Sequence, residues 1–424
     1  MQAEVQHSGV SGPLDEVSWQ AGAGRGAQAR MQHILTRQRE QVLRDDLHTD
    51  MVALDVGDPR RLAWMAPCRI ATSLLTMCPT ERRHMVGPDF SEHFCTYFGA
   101  PTPVWREVSG GFIPASGGPV VCDAYGLAVS RASLLQFTFD QCHEDIQRAI
   151  EDLMVSVRLR VTHHTGMFFA PVIPMRLLVG QAESSRLGII PDLACFLAMT
   201  SVGTTAGQYR RARAALSPGA GRMLIFDVKG LHGGGSLYRG RAGRDEQSGA
   251  VRERARRLPG EYRRHAQRLD QQLHGAHSTT VVDHLSTFTP VRSLVVGHYG
   301  EASADVHELV DVCADRAASQ QWRLMGARSQ TEARSYFVAR FRRELGLAFA
   351  QAQVGHRMRR RPLVGMSRDE VRALIDRSAQ QHAQRGDAMQ RHHERGLLDP
   401  AEFWAGHAFR GPAMVAVAAV PGDA

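Results

Sequence analysis

Hydrophobic residues in the middle of the chain follow first a helical spacing and then a strand-like one. Ile146, Ile150 and Leu153 recur every three or four positions, which predicts a helix over about 138–160. Strand-like apolar runs follow at 166–180, 187–199 and 222–231, and after them come a basic helix at 250–273, a fourth strand-like run at 291–301 and a helix at 304–322. This order of helix, three strands, helix, strand and helix predicts an α/β fold.

The segments on either side of this region have weaker patterns. Residues 1–60 are rich in Gln, Gly and Arg, which predicts a flexible arm with one short helix. Residues 61–134 combine short helical patterns with runs punctuated by Gly and Pro, so we expect a small helical and loop module. Ser367 and Glu370 have the spacing of a capping box in a basic, helical tail. The predicted domains are 1–60, 61–134, 135–325 and 326–424.

Length and composition exclude several classes of protein. At 424 residues, with 43% apolar and 22% charged residues, the chain can bury a sizeable core and is not disordered overall. No apolar stretch reaches the roughly eighteen residues of a membrane helix, and the N-terminus lacks the pattern of a secretory signal. We therefore expect an intracellular protein without membrane contact, nuclear if the host is eukaryotic. The seven cysteines never form CxxC, so we expect reduced thiols and no bound zinc.

The net charge of +8 comes from arginine. Several arginines fall in the predicted helix at 250–273, where they are expected to line a groove for DNA: Arg252, Arg256, Arg257, Arg263 and Arg264. Acidic residues are interspersed in the same helix, so a solvated helix face is an equally good interpretation of this charge.

Charged residues interrupt two of the predicted strands. Asp227 and Lys229 share one face of the run at 222–231, and Asp192 lies among apolar residues in the preceding run. A buried ion is costly unless it is paired or binds a metal, so these residues form either an ion pair or a site. If the two strands are neighbours, both aspartates can bind Mg²⁺ or Mn²⁺. The alternatives are a surface salt bridge at an exposed strand end and, for Asp192, a turn.

These residues resemble a known motif. Pro191-Asp192 followed by Asp227-Val228-Lys229 is similar to the motif of the PD-(D/E)XK nuclease superfamily, whose restriction-endonuclease-like core has the order α-β-β-β-α-β. The resemblance implies metal-dependent hydrolysis of DNA phosphodiester bonds. It also implies that Asp192 and Asp227 are the metal ligands and that Lys229 is the catalytic lysine.

The first core helix of that superfamily often supplies a further acid. By position Glu144 fits this role, although it lies nearly opposite the apolar stripe of its helix. His143 lies nearer the edge of that stripe. Both residues are therefore candidates for the site.

The segment ATSLLTMCPTERRHMVGPDFSEHFCTYFGAPTP, residues 71–103, is similar to the region after the polymerase domain in retroelement proteins of protists and algae. In those proteins a Cys/His knuckle and a PD-(D/E)XK-like endonuclease domain come next. The present chain has CDAYG at 122–126 and Cys142-His143-Glu144, but it lacks the CxxC, the later His/Cys pair and any Y-x-D-D stretch. The knuckle is therefore expected to be degenerate and metal-free. The resemblance covers roughly 60–325 and implies a retroelement origin.

Together these observations predict a divalent-metal-dependent endonuclease that cleaves DNA. Two alternatives remain open at this point. One is a nucleic-acid-binding remnant of a retroelement that has lost catalysis. The other is an interaction protein whose arginine-rich helices bind acidic partners.

Overall fold

A computed structural model describes residues 25–377 apart from 56, 67, 78–83, 134–137, 163–164, 175–176, 178–189, 197–222, 234–237, 239–248, 289 and 375. The described chain is a mixed α/β structure, mostly helical, with two small sheets. Its helices are α1 Arg25–Ala53, α2 Pro59–Met65, α3 Arg69–Ser73, α4 Gly87–Tyr97, α5 Pro103–Glu107, α6 Leu127–Arg131, α7 Thr138–Ser156, α8 Gly249–Leu273, α9 Thr280–Ser286, α10 Ala304–Gln321 and α11 Gln330–Met358. Its strands are β1 Phe112–Ala115, β2 Gly118–Val121, β3 Arg160–Thr162, β4 Leu193–Phe196, β5 Leu224–Gly230 and β6 Arg292–Val296, and short 3-10 helices lie at Leu74–Thr76, Thr165–Phe169 and Arg361–Leu363.

The larger sheet has the strand order β3-β4-β5-β6. β4 pairs antiparallel with both β3 and β5, whereas β5 and β6 are parallel. The parallel pair needs a crossover connection, and α8 supplies it together with the short helix α9. The predicted order of helix, three strands, helix, strand and helix is therefore present, with α9 as an addition.

The first strand was predicted at 166–180, and this prediction is wrong for the described part of that segment. β3 lies earlier in the chain, and the apolar run begins as the 3-10 helix Thr165–Phe169 followed by a turn. Pro171 and Pro174 lack the N–H that a strand donates to its neighbour, which disfavours a strand here. Phe169 and Ile173 are instead buried in a hydrophobic cluster beneath β4 and β5.

Alternate residues of β5 pack on opposite faces of the sheet. Phe226 and Val228 belong to a large core with α7, α10 and α11, whereas Ile225 packs against α8 and α9. Because helices cover both faces, nearly all of β5 is buried, which explains its continuous apolar sequence. A polar side chain within this strand is therefore shielded from water.

Helix α8 contains Pro259, which cannot donate to the carbonyl of Ala255 four residues earlier. Ser293 of β6 compensates, because its hydroxyl donates a 3.0 Å hydrogen bond to that carbonyl. The helix therefore continues through the proline without an orphaned carbonyl, and it stays docked on the sheet next to the two aspartates.

The segments flanking the sheet pack closely with it. The largest core draws residues from α3, α7, the sheet, α10 and α11, so it extends across positions 68–352. The β1–β2 hairpin packs with Trp105 against Leu363 and Val371 near the end of the described chain. The predicted capping box is present, since Ser367 N–H donates to Glu370 and Glu370 N–H donates to the Ser367 hydroxyl. The division into four domains stays a prediction.

The N-terminal arm contains a longer helix than the sequence pattern indicates. Helix α1 has 29 residues, and it contacts α2 through a 3.2 Å hydrogen bond from Trp64 Nε1 to His48 Nδ1. Within the described ranges, no helix combines the length and the apolar character that a membrane span requires. The described cysteines are free thiols: Cys68, Cys95, Cys122, Cys142, Cys195 and Cys313.

Candidate active site between β4 and β5

Asp227 lies in the middle of β5, and its side chain is buried. It is only 2% exposed, because it shares the sheet face of Ile225, which α8 and α9 cover. Its Oδ1 atom accepts a 2.8 Å hydrogen bond from Lys229 Nζ. Its Oδ2 atom is also buried and accepts no well-formed hydrogen bond from another described residue, although the Tyr262 hydroxyl and the Asp192 carboxyl lie near this carboxylate. One oxygen of a desolvated carboxylate is thus left unsatisfied, which is costly in a folded protein.

Asp192 reaches the same place from the neighbouring strand. Leu193 pairs with Phe226 in the β4–β5 register, so the residue just before β4 lies beside Asp227. The carboxylate Oδ2 of Asp192 accepts a 2.6 Å hydrogen bond from the backbone N–H of Val228. The side chain is therefore fixed against β5 rather than turned toward solvent.

The backbone leading into Asp192 is held by three side chains from three different elements. Tyr262 of α8 donates its hydroxyl to the carbonyl of Ile190 at 3.2 Å. The Thr165 hydroxyl donates to the carbonyl of Pro191, and Gln147 of α7 donates to the carbonyl of Asp192 at 3.4 Å. A segment without regular secondary structure is thereby held in one conformation. Preorganisation of this kind is a requirement of catalytic and metal sites.

Two basic side chains complete the cluster. Lys229 Nζ lies 3.7 Å from Asp192 Oδ2 in addition to its contact with Asp227, and its side chain is 34% exposed. His143 of α7 places Nε2 3.3 Å from Asp192 Oδ1. Three elements spread over positions 143–229 therefore bring two carboxylates, one ammonium and one imidazole together. The partial exposure of Lys229 and His143 opens this cluster to solvent on one side.

The two carboxylates have opposite pKa shifts. Burial raises the pKa of Asp227 to about 6, and the negative charge of Asp192 contributes to this increase. Burial also acts to raise the pKa of Asp192, but the hydrogen bond with His143 and the charge of Lys229 outweigh it and lower that pKa to about 2. Asp192 is therefore ionised throughout the physiological range, whereas Asp227 is ionised only above about pH 6.

Lys229 stays protonated in this environment. Burial acts to lower its pKa, but the charges of Asp227 and Asp192 raise it above the usual value. One ammonium thus faces two carboxylates. Above pH 6 the three groups carry a net negative charge in a largely desolvated place, which attracts a cation.

The residues fit a hard divalent cation. Mg²⁺ binds to one or two carboxylates and retains several waters, and Asp227 offers a buried oxygen that accepts no well-formed hydrogen bond within the described ranges. The carboxyl groups of Asp192 and Asp227 lie within hydrogen-bonding reach of each other, so one ion can contact both. In the described ranges no group of three or more His, Cys, Asp or Glu side chains is arranged to hold a metal. A cation here would therefore depend on water or substrate oxygens for its remaining ligands.

The structure brings together four of the five residues proposed for catalysis. Asp192, Asp227, Lys229 and His143 meet, whereas Glu144 is exposed on α7, and no hydrogen bond or ion pair between described residues joins it to either aspartate. Helical geometry explains the difference, because consecutive residues of a helix point about 100° apart. The interpretation of Asp227 and Lys229 as a surface salt bridge at an exposed strand end is wrong, since Asp227 is buried.

The arginines predicted to bind DNA are all exposed on α8: Arg252, Arg256, Arg257, Arg263 and Arg264. Two of them, Arg256 and Arg257, share the carboxylate of Glu253 at 3.0 and 2.6 Å. These ion pairs agree with the mixed charge of the helix, but two arginines on one glutamate still leave a positive surplus.

Two residues that position Asp192 were not among the predicted site residues. Gln147 lies one helical turn after His143, so its spacing on α7 could have identified it. No sequence pattern marks Thr165, because its hydrogen-bond partner is a backbone carbonyl. Comparison with protein-family models, with curated proteins and with solved structures finds no match to this chain.

Proposed function

We propose that this chain is a divalent-metal-dependent endonuclease that hydrolyses DNA phosphodiester bonds at the cluster formed by Asp192, Asp227 and Lys229. The single observation that carries the proposal is the buried Oδ2 atom of Asp227, which accepts no well-formed hydrogen bond from any described residue and lies beside a second carboxylate and a lysine. A purely structural ion pair satisfies both oxygens of a buried carboxylate, because an unmade hydrogen bond costs about 1–3 kcal/mol. A metal site leaves an oxygen open for its ion.

The arrangement of strands supports a PD-(D/E)XK-like core. A helix, three antiparallel strands, a crossover helix and a parallel fourth strand follow one another over residues 138–296. The Asp-Val-Lys sequence lies on the third of these strands, and the Pro-Asp pair immediately precedes the second. The order of the elements agrees with the α-β-β-β-α-β order that the resemblance of the sequence implied.

Each side chain has a distinct role in the proposed reaction. Asp192 and Asp227 would hold Mg²⁺ or Mn²⁺, which when bound polarises a phosphoryl oxygen and lowers the pKa of a water ligand. Lys229 remains protonated beside both carboxylates, so it can stabilise the negative charge that develops on the scissile phosphate. His143 orients Asp192 through its 3.3 Å contact and keeps that carboxylate ionised.

The experiment is cleavage of supercoiled plasmid by the full chain with Mg²⁺, with Mn²⁺ and with EDTA. We expect nicking with either metal and none with EDTA. Asp227→Asn and Lys229→Met should abolish nicking, whereas Asp369→Asn, an exposed acid remote from the cluster in sequence, should leave it unchanged. Circular dichroism would establish that each variant is folded.

The two alternatives predict different outcomes of the same assay. A catalytically inactive remnant binds DNA with a steep salt dependence but cuts it with neither metal. An interaction protein for acidic partners has negligible affinity for DNA at physiological salt. Retention of full nicking activity in either Asp227→Asn or Lys229→Met would remove the proposed site.

A further inference from the structure

The exposed arginines of α8 fall on two different edges of the helix. A helix turns about 100° per residue, so positions can be assigned to edges from their spacing. Arg252, Arg256 and Arg263 lie within about 40° of one another, and Arg257, Arg264 and Arg268 lie within another sector of about 40°, whose centre is roughly 120° away. These six residues are all exposed. The helix therefore presents two basic edges of equal formal charge.

The second edge lies next to Arg254, a residue of α8 whose charge acts on the aspartate cluster. Arg254 and Glu261 lie next to this edge around the helix, and they form a 2.6 Å ion pair in which both side chains are about one quarter exposed. The positive charge of Arg254 acts on Lys229 and on Tyr262, two residues at the cluster. Arg254 thus connects this edge of α8 with the candidate active site.

Polar contacts continue along the same edge toward the end of the helix. Arg268 Nη2 lies 3.1 Å from His265 Nδ1. Burial and the charges of Arg268 and Arg264 lower the pKa of His265, while Glu261 opposes them. A row of interacting basic groups therefore extends away from the aspartates. From Arg254 to Arg268 it covers about 21 Å of helix, or about six nucleotide steps of one DNA strand.

We propose that Arg264 and Arg268 of this edge, with the adjacent Arg254, bind the phosphate backbone of the DNA strand that enters the site, while Arg257 stays paired with Glu253. The residues of the other edge, Arg252, Arg256 and Arg263, do not contact the strand. The inference rests on the proposed function, since it assumes that a polyanionic strand reaches Asp227. The arginine pattern in the sequence did not distinguish the two edges. The contacts of Arg254 and His265 do distinguish them.

The test compares two matched double variants of the full chain. Arg264→Gln/Arg268→Gln changes the edge next to the site, and Arg256→Gln/Arg263→Gln changes the opposite edge by the same charge. Binding to a fluorescein-labelled DNA duplex is measured by anisotropy over a range of salt, with EDTA present so that no cleavage occurs. The salt slope is the slope of log affinity against log salt concentration. Each lost phosphate contact should lower its magnitude by roughly 0.9, which corresponds to about an eightfold loss of affinity near 0.1 M salt.

We expect the first double variant to lose roughly sixtyfold in affinity and about two units of salt slope. The second should bind within about twofold of the wild type. If circular dichroism shows that the first double variant is misfolded, the single variant Arg268→Gln takes its place. We expect it to lose about eightfold in affinity.

Equal losses in both double variants, or a larger loss in the second, would overturn the assignment of the edge. In that case metal-dependent nicking by the wild type would still support the proposed function. Absence of any salt-dependent binding by the wild type would also overturn the assignment, and the nicking assay would then decide the nuclease proposal separately.

Discussion

Replacing Asp227 by asparagine should stabilise the protein while it abolishes cleavage. Asparagine has nearly the same shape as aspartate, but it carries no charge. The carboxylate of Asp227 is 2% exposed and has one oxygen that accepts no well-formed hydrogen bond in the described chain. Its ionised form is therefore held in the fold at a cost in free energy of unfolding, and the neutral amide removes that cost.

The size of this effect follows from the pKa of Asp227. The folded state raises it from 3.8 to about 6, which is about two pKa units. Each unit corresponds to 1.36 kcal/mol, so the ionised carboxylate costs about 3 kcal/mol above pH 6. This value already includes the attraction of Lys229. The variant should thus unfold with a free energy up to about 3 kcal/mol higher than the wild type at pH 8.

The difference should depend on pH in a defined direction. Because the pKa of Asp227 is raised, its contribution to stability is fully present below pH 3.8 and is lost as the pH rises through about 6. The variant should therefore have no higher free energy of unfolding than the wild type near pH 4. Asp192 does not titrate between pH 4 and pH 8 in the folded protein, since its pKa is about 2.

Urea unfolding at pH 8 and near pH 4, with EDTA present, measures the difference. Asp369→Asn serves as the control and should change stability by less than about 1 kcal/mol at either pH, since it removes only an exposed charge in the first turn of a helix. A variant that is less stable than the wild type at pH 8 by 1 kcal/mol or more would refute the reasoning. That result would mean that the carboxylate of Asp227 is a stabilising partner of Lys229, as in a structural ion pair.

Three further predictions concern the site and its support. Nicking should decline as the pH falls through about 6, because a proton on Asp227 competes with the metal; a pH–rate profile that stays flat down to pH 5 would contradict this. Thr165→Val removes the donor to the Pro191 carbonyl and should raise the Mg²⁺ concentration needed for half-maximal nicking by about tenfold, as a metal titration would show. Ser293→Ala leaves the carbonyl of Ala255 without its donor and should cost about 1–2 kcal/mol in urea unfolding, with no change in the metal requirement.

The strands could be predicted from the sequence only where the burial pattern was simple. β5 was predicted correctly because helices cover both faces of the strand, which gives a continuous apolar run. The run at 166–180 is equally apolar, but its residues fill a cluster beneath the sheet as a 3-10 helix and a turn. Hydrophobicity records burial and not backbone conformation, so this run was assigned to the wrong element.

The site could be predicted in part. Acidic residues in apolar surroundings indicated Asp192 and Asp227, because burial of a charge needs a reason. The choice between His143 and Glu144 depended on the rotation of α7, which the structure supplies by placing His143 against Asp192. The hydrogen bonds that fix the backbone before Asp192 are accepted by carbonyl oxygens. Every residue has a backbone carbonyl, so these bonds cannot be recognised in the sequence.

Binding of Mn²⁺ tests most directly whether the two aspartates form a metal site. The full chain is titrated with Mn²⁺ at pH 8, and bound ion is followed by electron paramagnetic resonance in the wild type, in Asp192→Asn and in Asp227→Asn. We predict that the wild type binds Mn²⁺ with release of no more than a fraction of a proton, that binding weakens as the pH falls through about 6, and that neither variant binds the ion. Binding of equal strength in the wild type and in both variants, or no binding by the wild type, would contradict the account.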